Sequence, residues 1–138
     1  QKTAYEIRLS LVGSEMCIRD SFAAVGYRGH RVNPEVDAVL DRFEAIIAPH
    51  WPPERQIIED RLRTITFPFA EIAVPPFVMI MEWSNATHLG YLRTWSATTA
   101  CIKATGRDPV DLFEAEFTAA WGDAVRTVTW ELIVRAGS

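Results

Sequence analysis

Tyr91, Thr94, Trp95 and Ser96 put two aromatic rings and two hydroxyls within little more than one helical turn. A few polar groups set among apolar ones is how a small-molecule pocket fixes its ligand, and ordinary core packing by an amphipathic helix is the alternative. Trp51 precedes two prolines and makes a rigid aromatic corner, either a structural wedge or a substrate contact. His30, His50 and His88 match no metal-ligand spacing and read as surface or structural histidines. Cys101 has no clear basic partner in sequence and reads as an inert thiol. Glu54, Arg55, Glu59, Arg61 and Arg63 could assemble a carboxylate site, but solvated helix charges are the simpler account. Asn85-Ala86-Thr87 fits a glycosylation acceptor, yet no secretory signal precedes it and a helix cap is expected. Close backbone approach to a nucleotide needs glycines near one another, whereas those at 13, 26, 29, 90, 106, 122 and 137 form no Gly-x-Gly pair. No residue is therefore expected to bind a nucleotide cofactor, and no catalytic residue can be assigned.

The elements that must position these groups alternate between strand and helix. Phe22 to Tyr27 reads as a buried strand, followed by a polar turn from Tyr27 to Arg31. Asn33-Pro34 supplies a cap and first-turn proline for a helix with Val36, Val39, Leu40, Phe43, Ile46 and Ile47 on one stripe, ended by Pro49. A second helical stretch starts at Trp51 and carries Ile57, Ile58 and Leu62; residues 64–76 are irregular. Phe77 to Trp83 is a strand, and Ser84 or Asn85 caps a helix running to about Thr105 with His88, Leu92, Trp95, Thr99 and Ile102 on one face. Gly106 stops it. Asp108-Pro109 opens a helix carrying Leu112, Phe113, Phe117, Ala120 and Trp121, and Gly122 closes it. In the final strand Val128, Trp130, Leu132 and Val134 alternate with Thr127, Thr129, Glu131 and Arg135.

A chain of 138 residues, 49% hydrophobic and 23% charged, is ordinary for one globular domain. A net charge of −4 without a basic run argues against nucleic acid as a partner. No apolar run approaches the roughly 20 residues that span a bilayer, so no membrane association is expected. Cys17 and Cys101 form neither a metal spacing nor a disulfide framework, which fits a cytoplasmic location. Five Trp in so short a chain point to packed pockets or interfaces.

An ordered set of short motifs resembles the distal part of class I S-adenosylmethionine-dependent methyltransferases related to trans-aconitate methyltransferase. The motifs are Trp51-Pro52-Pro53-Glu54-Arg55, Phe67-Pro68-Phe69, Gly90 to Ala97, Thr105 to Pro109, Ala120 to Asp123, Val128-Thr129-Trp130 and Val134 to Gly137. The resemblance implies the carboxyl-terminal part of a Rossmann-like α/β fold, with about three strands, flanking helices, an incomplete sheet and an antiparallel last strand. It implies transfer of a methyl group to a small-molecule acceptor. Tyr27 would face the site from a strand end, and the helices around Trp51 and Trp95 would form a lid. Tyr91, Trp95 and Ser96 could then touch substrate, and Arg55 or Arg93 could hold a carboxylate acceptor. S-adenosylmethionine would bind to the parent protein only. Glu131 departs from the family pattern, which has proline after the tryptophan. A non-enzymatic α+β ligand-binding module is the alternative, and oligomeric state and acceptor are not readable.

Residues 1–20 match the in-frame translation of a short-read library oligonucleotide, with fixed blocks Gln1–Glu6 and Leu11–Asp20 separated by a variable index. The expectation is that residues 1–21 are a non-biological extension, weakly structured, and that 22–138 is the methyltransferase part including its lid. The cofactor-binding half would then be missing and the fragment inactive alone.

Overall fold

The computed structural model describes residues 21–138; the expectation for the adapter-like stretch falls almost wholly outside the described residues. The chain forms strand β1 (Phe22–Arg31), helix α1 (Pro34–Ile47), a 3-10 turn (Ala48–His50), helix α2 (Arg55–Glu59), strands β2 (Glu71–Ile72) and β3 (Phe77–Trp83), helices α3 (Asn85–Arg93), α4 (Ser96–Thr105) and α5 (Pro109–Trp121), and strand β4 (Arg126–Gly137). The result is a mixed α/β fold with one sheet in the order β1-β4-β2, and β3 also pairs with β4. β2 runs antiparallel to β4, with Glu71 opposite Gly137 and Ile72 opposite Ala136. Four strands replace the three expected, because a two-residue pairing inside the irregular 64–76 stretch leaves no periodic signal.

Helix starts follow the local code. Asn33 Oδ1 accepts the Val36 amide at 2.9 Å, Ser84 Oγ accepts Thr87 N at 3.2 Å, and Asp108 Oδ1 accepts Val110 N at 2.8 Å. Pro34 and Pro109 stand where a missing N–H costs nothing. Gly106 closes α4 at φ 72°, a left-handed position that a side chain resists.

Five expectations are corrected. Tyr27 to Arg31 is strand rather than turn: inward positions Ala24, Gly26, Arg28 and His30 alternate with exposed ones, but Gly and Arg hide the period. The helical stretch after Trp51 ends at Glu59, because Arg61 and Leu62 adopt left-handed φ values of 57° and 61°. The helix after Ser84 breaks at Thr94-Trp95. There Thr94 Oγ1 donates to Tyr91 O at 2.6 Å and Thr98 Oγ1 to Leu92 O at 2.8 Å, satisfying carbonyls that a continuing helix would use. The face of α4 is then Ala97, Thr98 and Cys101, with Thr99 and Ile102 exposed. In β4 the buried positions are Val128, Trp130, Ile133 and Gly137, so the alternation slips after Trp130 and Leu132 and Val134 are only partly covered.

The chain divides into two compact units. One holds the described residues up to Gly29 with Gln56–Met79 and Glu131–Ser138. Its core is Ala24, Leu62 and Ile133, flanked by Phe22, Ile57, Ile58 and Ile65. Phe22, Phe67 and Phe69 pack ring to ring at 5.6–5.7 Å. The other holds His30–Arg55 and Ile80–Trp130. In it α1 packs along α5, and α3 against the same helix. Its core is Val36, Leu40, Phe43, Ile47, Leu92, Val110, Phe117, Trp121, Val128 and Trp130.

Candidate substrate site

Within the second unit the expected aromatic residues come together. Trp51 and Trp95 lie 5.5 Å apart, Trp95 and Tyr91 5.7 Å, and Tyr91 contacts Trp83 at 5.1 Å and Trp130 at 5.8 Å. The Arg55 guanidinium stacks over Trp51 at 4.4 Å, a cation–π contact. Trp130 Nε1 donates to the Tyr91 hydroxyl at 3.3 Å. The prolines after Trp51 and the helix break at Trp95 place both indoles in extended backbone at element ends, with ψ 138° and 137°. All of Trp51, Tyr91 and Trp95 are half-buried, so rings remain partly open to solvent.

The other expected residues are placed differently. Arg93 is bound by Asp108 at 3.2 Å, Asp111 at 2.8 Å and Glu114 at 3.3 Å, and the Asp111 hydrogen bond chiefly raises its pKa. Its charge ties α3 to α5. Ser96 is exposed at the first position of α4. Tyr27 belongs to the first unit, on the outward face of β1. Cys101 is a buried free thiol. Asn85 gives its amide to Thr118 Oγ1 at 3.0 Å, while Ser84 is the cap.

A histidine pair that the sequence does not announce packs against these rings. His30 and His88, both fully buried, meet Nε2 to Nε2 at 2.8 Å. Tyr91, Trp95 and Trp130 surround the His30 ring, and Trp121 stacks on His88 at 4.9 Å with Phe117 at 5.1 Å. Burial pushes His30 down to about 3, helped by His88 and Arg31, and His88 down to about 4. Both rings are neutral near pH 7, so one Nε2–H donates to the other's lone pair. Each Nδ1 is left without a partner. Two residues 58 positions apart leave no sequence signal. Among the described residues no three His, Cys, Asp or Glu side chains gather as a metal site.

The row of rings from Trp51 through Trp95 to Tyr91 can hold a flat or apolar small molecule against indole faces, with the Arg55 guanidinium at one end and the Tyr91 hydroxyl at the other. No protein-family model and no curated protein matches the chain. A solved structure from Anaeromyxobacter dehalogenans, described as a candidate type II methyltransferase, is similar at a TM-score of 0.80 and 46% identity. The match covers 85% of this chain and 51% of that one, so the chain spans about half the length of that relative. In sequence as well as fold, these residues are similar to part of a methyltransferase candidate.

Proposed function

We propose that this chain is the acceptor-binding, carboxyl-terminal part of an S-adenosylmethionine-dependent methyltransferase acting on a small molecule. The observation that carries the reading is the 46% identity to the Anaeromyxobacter dehalogenans protein. The described residues do not fit the cofactor. They offer no Gly-x-Gly pair for close backbone approach, and the β1-to-α1 turn has its amides taken, Val32 N by Asp37 and Val36 N by Asn33. Cofactor contacts therefore belong to the portion of a parent protein that this chain does not span.

What these residues do is bind and orient the acceptor. Trp51, Trp95 and Tyr91 supply apolar faces, and Arg55 supplies a charge that suits a carboxylate. A carboxylate acceptor is already nucleophilic and needs no general base, so positioning and exclusion of water are the chain's contribution to rate. On this reading the parent protein is kin to trans-aconitate methyltransferases and works in the cytoplasm. No described helix is long and apolar enough to cross a membrane.

Two measurements test the reading. Titration of this chain with S-adenosylhomocysteine gives no heat, and clear binding would contradict the assignment of cofactor contacts elsewhere. A full-length protein containing this segment releases S-adenosylhomocysteine when offered small carboxylic acids. In it Arg55→Met raises KM by about tenfold with little change in kcat, the signature of lost uniform binding. An unchanged KM removes Arg55 from the site, and a full-length protein that fails to bind S-adenosylhomocysteine sinks the methyltransferase reading.

A further inference from the structure

The first unit carries a recess of about 500 Å³ that the proposed methyl-transfer chemistry does not use. That volume lies in the range that accepts small ligands, about 300–1,000 Å³. One wall is β4 from Leu132 to Arg135; another is Val74, Pro75 and Pro76. Arg61, Arg63 and Glu71 also line it.

The loop presenting Arg61 and Arg63 is held in an unusual state. Arg61 and Leu62 are consecutive non-glycine residues at left-handed φ, which L-residues avoid. Such a backbone persists only where its surroundings over-determine it, and binding sites are where this recurs. Here the surroundings are identifiable. Arg135 Nη1 donates to Leu62 O at 2.5 Å and to Ile65 O at 2.9 Å, and the Leu62 side chain is buried with Ala24 and Ile133. The clamp fixes the direction in which the neighbouring arginines leave the loop.

Charge in the recess is almost balanced. Arg61 pairs with Glu131 and Arg135 with Glu71. Arg63 is exposed and has no carboxylate partner among the described residues. One uncompensated guanidinium beside an apolar wall of Val74, Pro75 and Val134 suits one negative charge with a hydrocarbon tail. A second negative charge would meet the Glu71 carboxylate. We propose that this recess binds a short-chain monocarboxylate, its carboxylate on Arg63 and its tail along Val74, Pro75 and Val134.

The proposal goes beyond the methyltransferase reading and stands on residues of the other unit, so either can fail alone. The test is an amide-resolved NMR titration of the 138-residue chain with hexanoate, acetate and inorganic phosphate. Hexanoate is expected to give saturable shifts at the Arg63, Val74 and Val134 amides. Acetate, lacking the tail, binds at least about tenfold more weakly, and phosphate more weakly still. Arg63→Gln weakens hexanoate about tenfold and Arg63→Lys restores part of the loss. Absence of saturable shifts at those amides overturns the proposal. So does phosphate binding as tight as hexanoate, or Arg63→Gln binding like the unmodified chain.

Discussion

The two units reach order by different means. In the second, helices start and stop on local signals, and their apolar faces meet over large rings: Phe43, Phe117, Trp121 and Trp130 are fully buried. Among the described residues of the first, only Ala24, Leu62 and Ile133 are buried apolar side chains, and much of the backbone is irregular. There one charged side chain does the organising. Arg135, with 14% of its side chain exposed, bonds Glu71 and two loop carbonyls and stacks over Phe67 at 4.8 Å. Apolar area spreads stability over many contacts, whereas a polar clamp concentrates it in one residue.

The largest test of that contrast is Phe117→Ala. It empties a site packed by Phe43, His88 and Phe113, and the expected loss is about 3–5 kcal/mol in urea unfolding. A loss below about 1 kcal/mol would show that the ring cluster is loosely packed, and the comparison would break.

Acid comes next. His30 and His88 have folded pKa values of about 3 and 4, below the ordinary 6.5. The unfolded chain therefore takes up protons first as pH falls. Stability from this pair is complete above about pH 6.5 and is lost progressively down to about pH 3. At the steepest point an uptake of two protons corresponds to roughly 3 kcal/mol per pH unit. Urea midpoints measured from pH 7.5 to 4.5 check the sign, and the His88→Gln variant should show a shallower slope. A flat profile would mean that the two rings are reached by water.

Arg135→Met should cost about 2 kcal/mol, chiefly by leaving the Leu62 and Ile65 carbonyls without their donor. Its particular readout is proteolysis between residues 60 and 76, with the second unit's helices still protected from hydrogen exchange. If protection falls equally in both units, the clamp is not local and the comparison needs redrawing.

What could be read from the sequence follows the same divide. Asn33, Ser84, Asp108, Gly106 and Gly122 act within a few residues of themselves, so the ends they set were legible. The break at Thr94-Trp95 was not, because two threonine hydroxyls outcompete a helix whose apolar pattern continues through it. Trp51, Tyr91 and Trp95 were recognisable as candidate contacts by type, and they do meet. The His30–His88 pair and the Arg135 clamp join residues 58 to 73 positions apart, and nothing in one dimension announces them.

The slip along β4 sets a rule for lengths. From Val128 to Trp130 the inward step is two residues, and from Trp130 to Ile133 it is three. The buried positions change phase there, so the strand is two half-ladders joined out of phase. Deleting either Glu131 or Leu132 would restore a uniform beat of buried positions. Adding or removing one anywhere else along the strand would turn one half's interior outward. Among natural variants of this chain, single-residue length changes in the last strand should therefore cluster at that one joint.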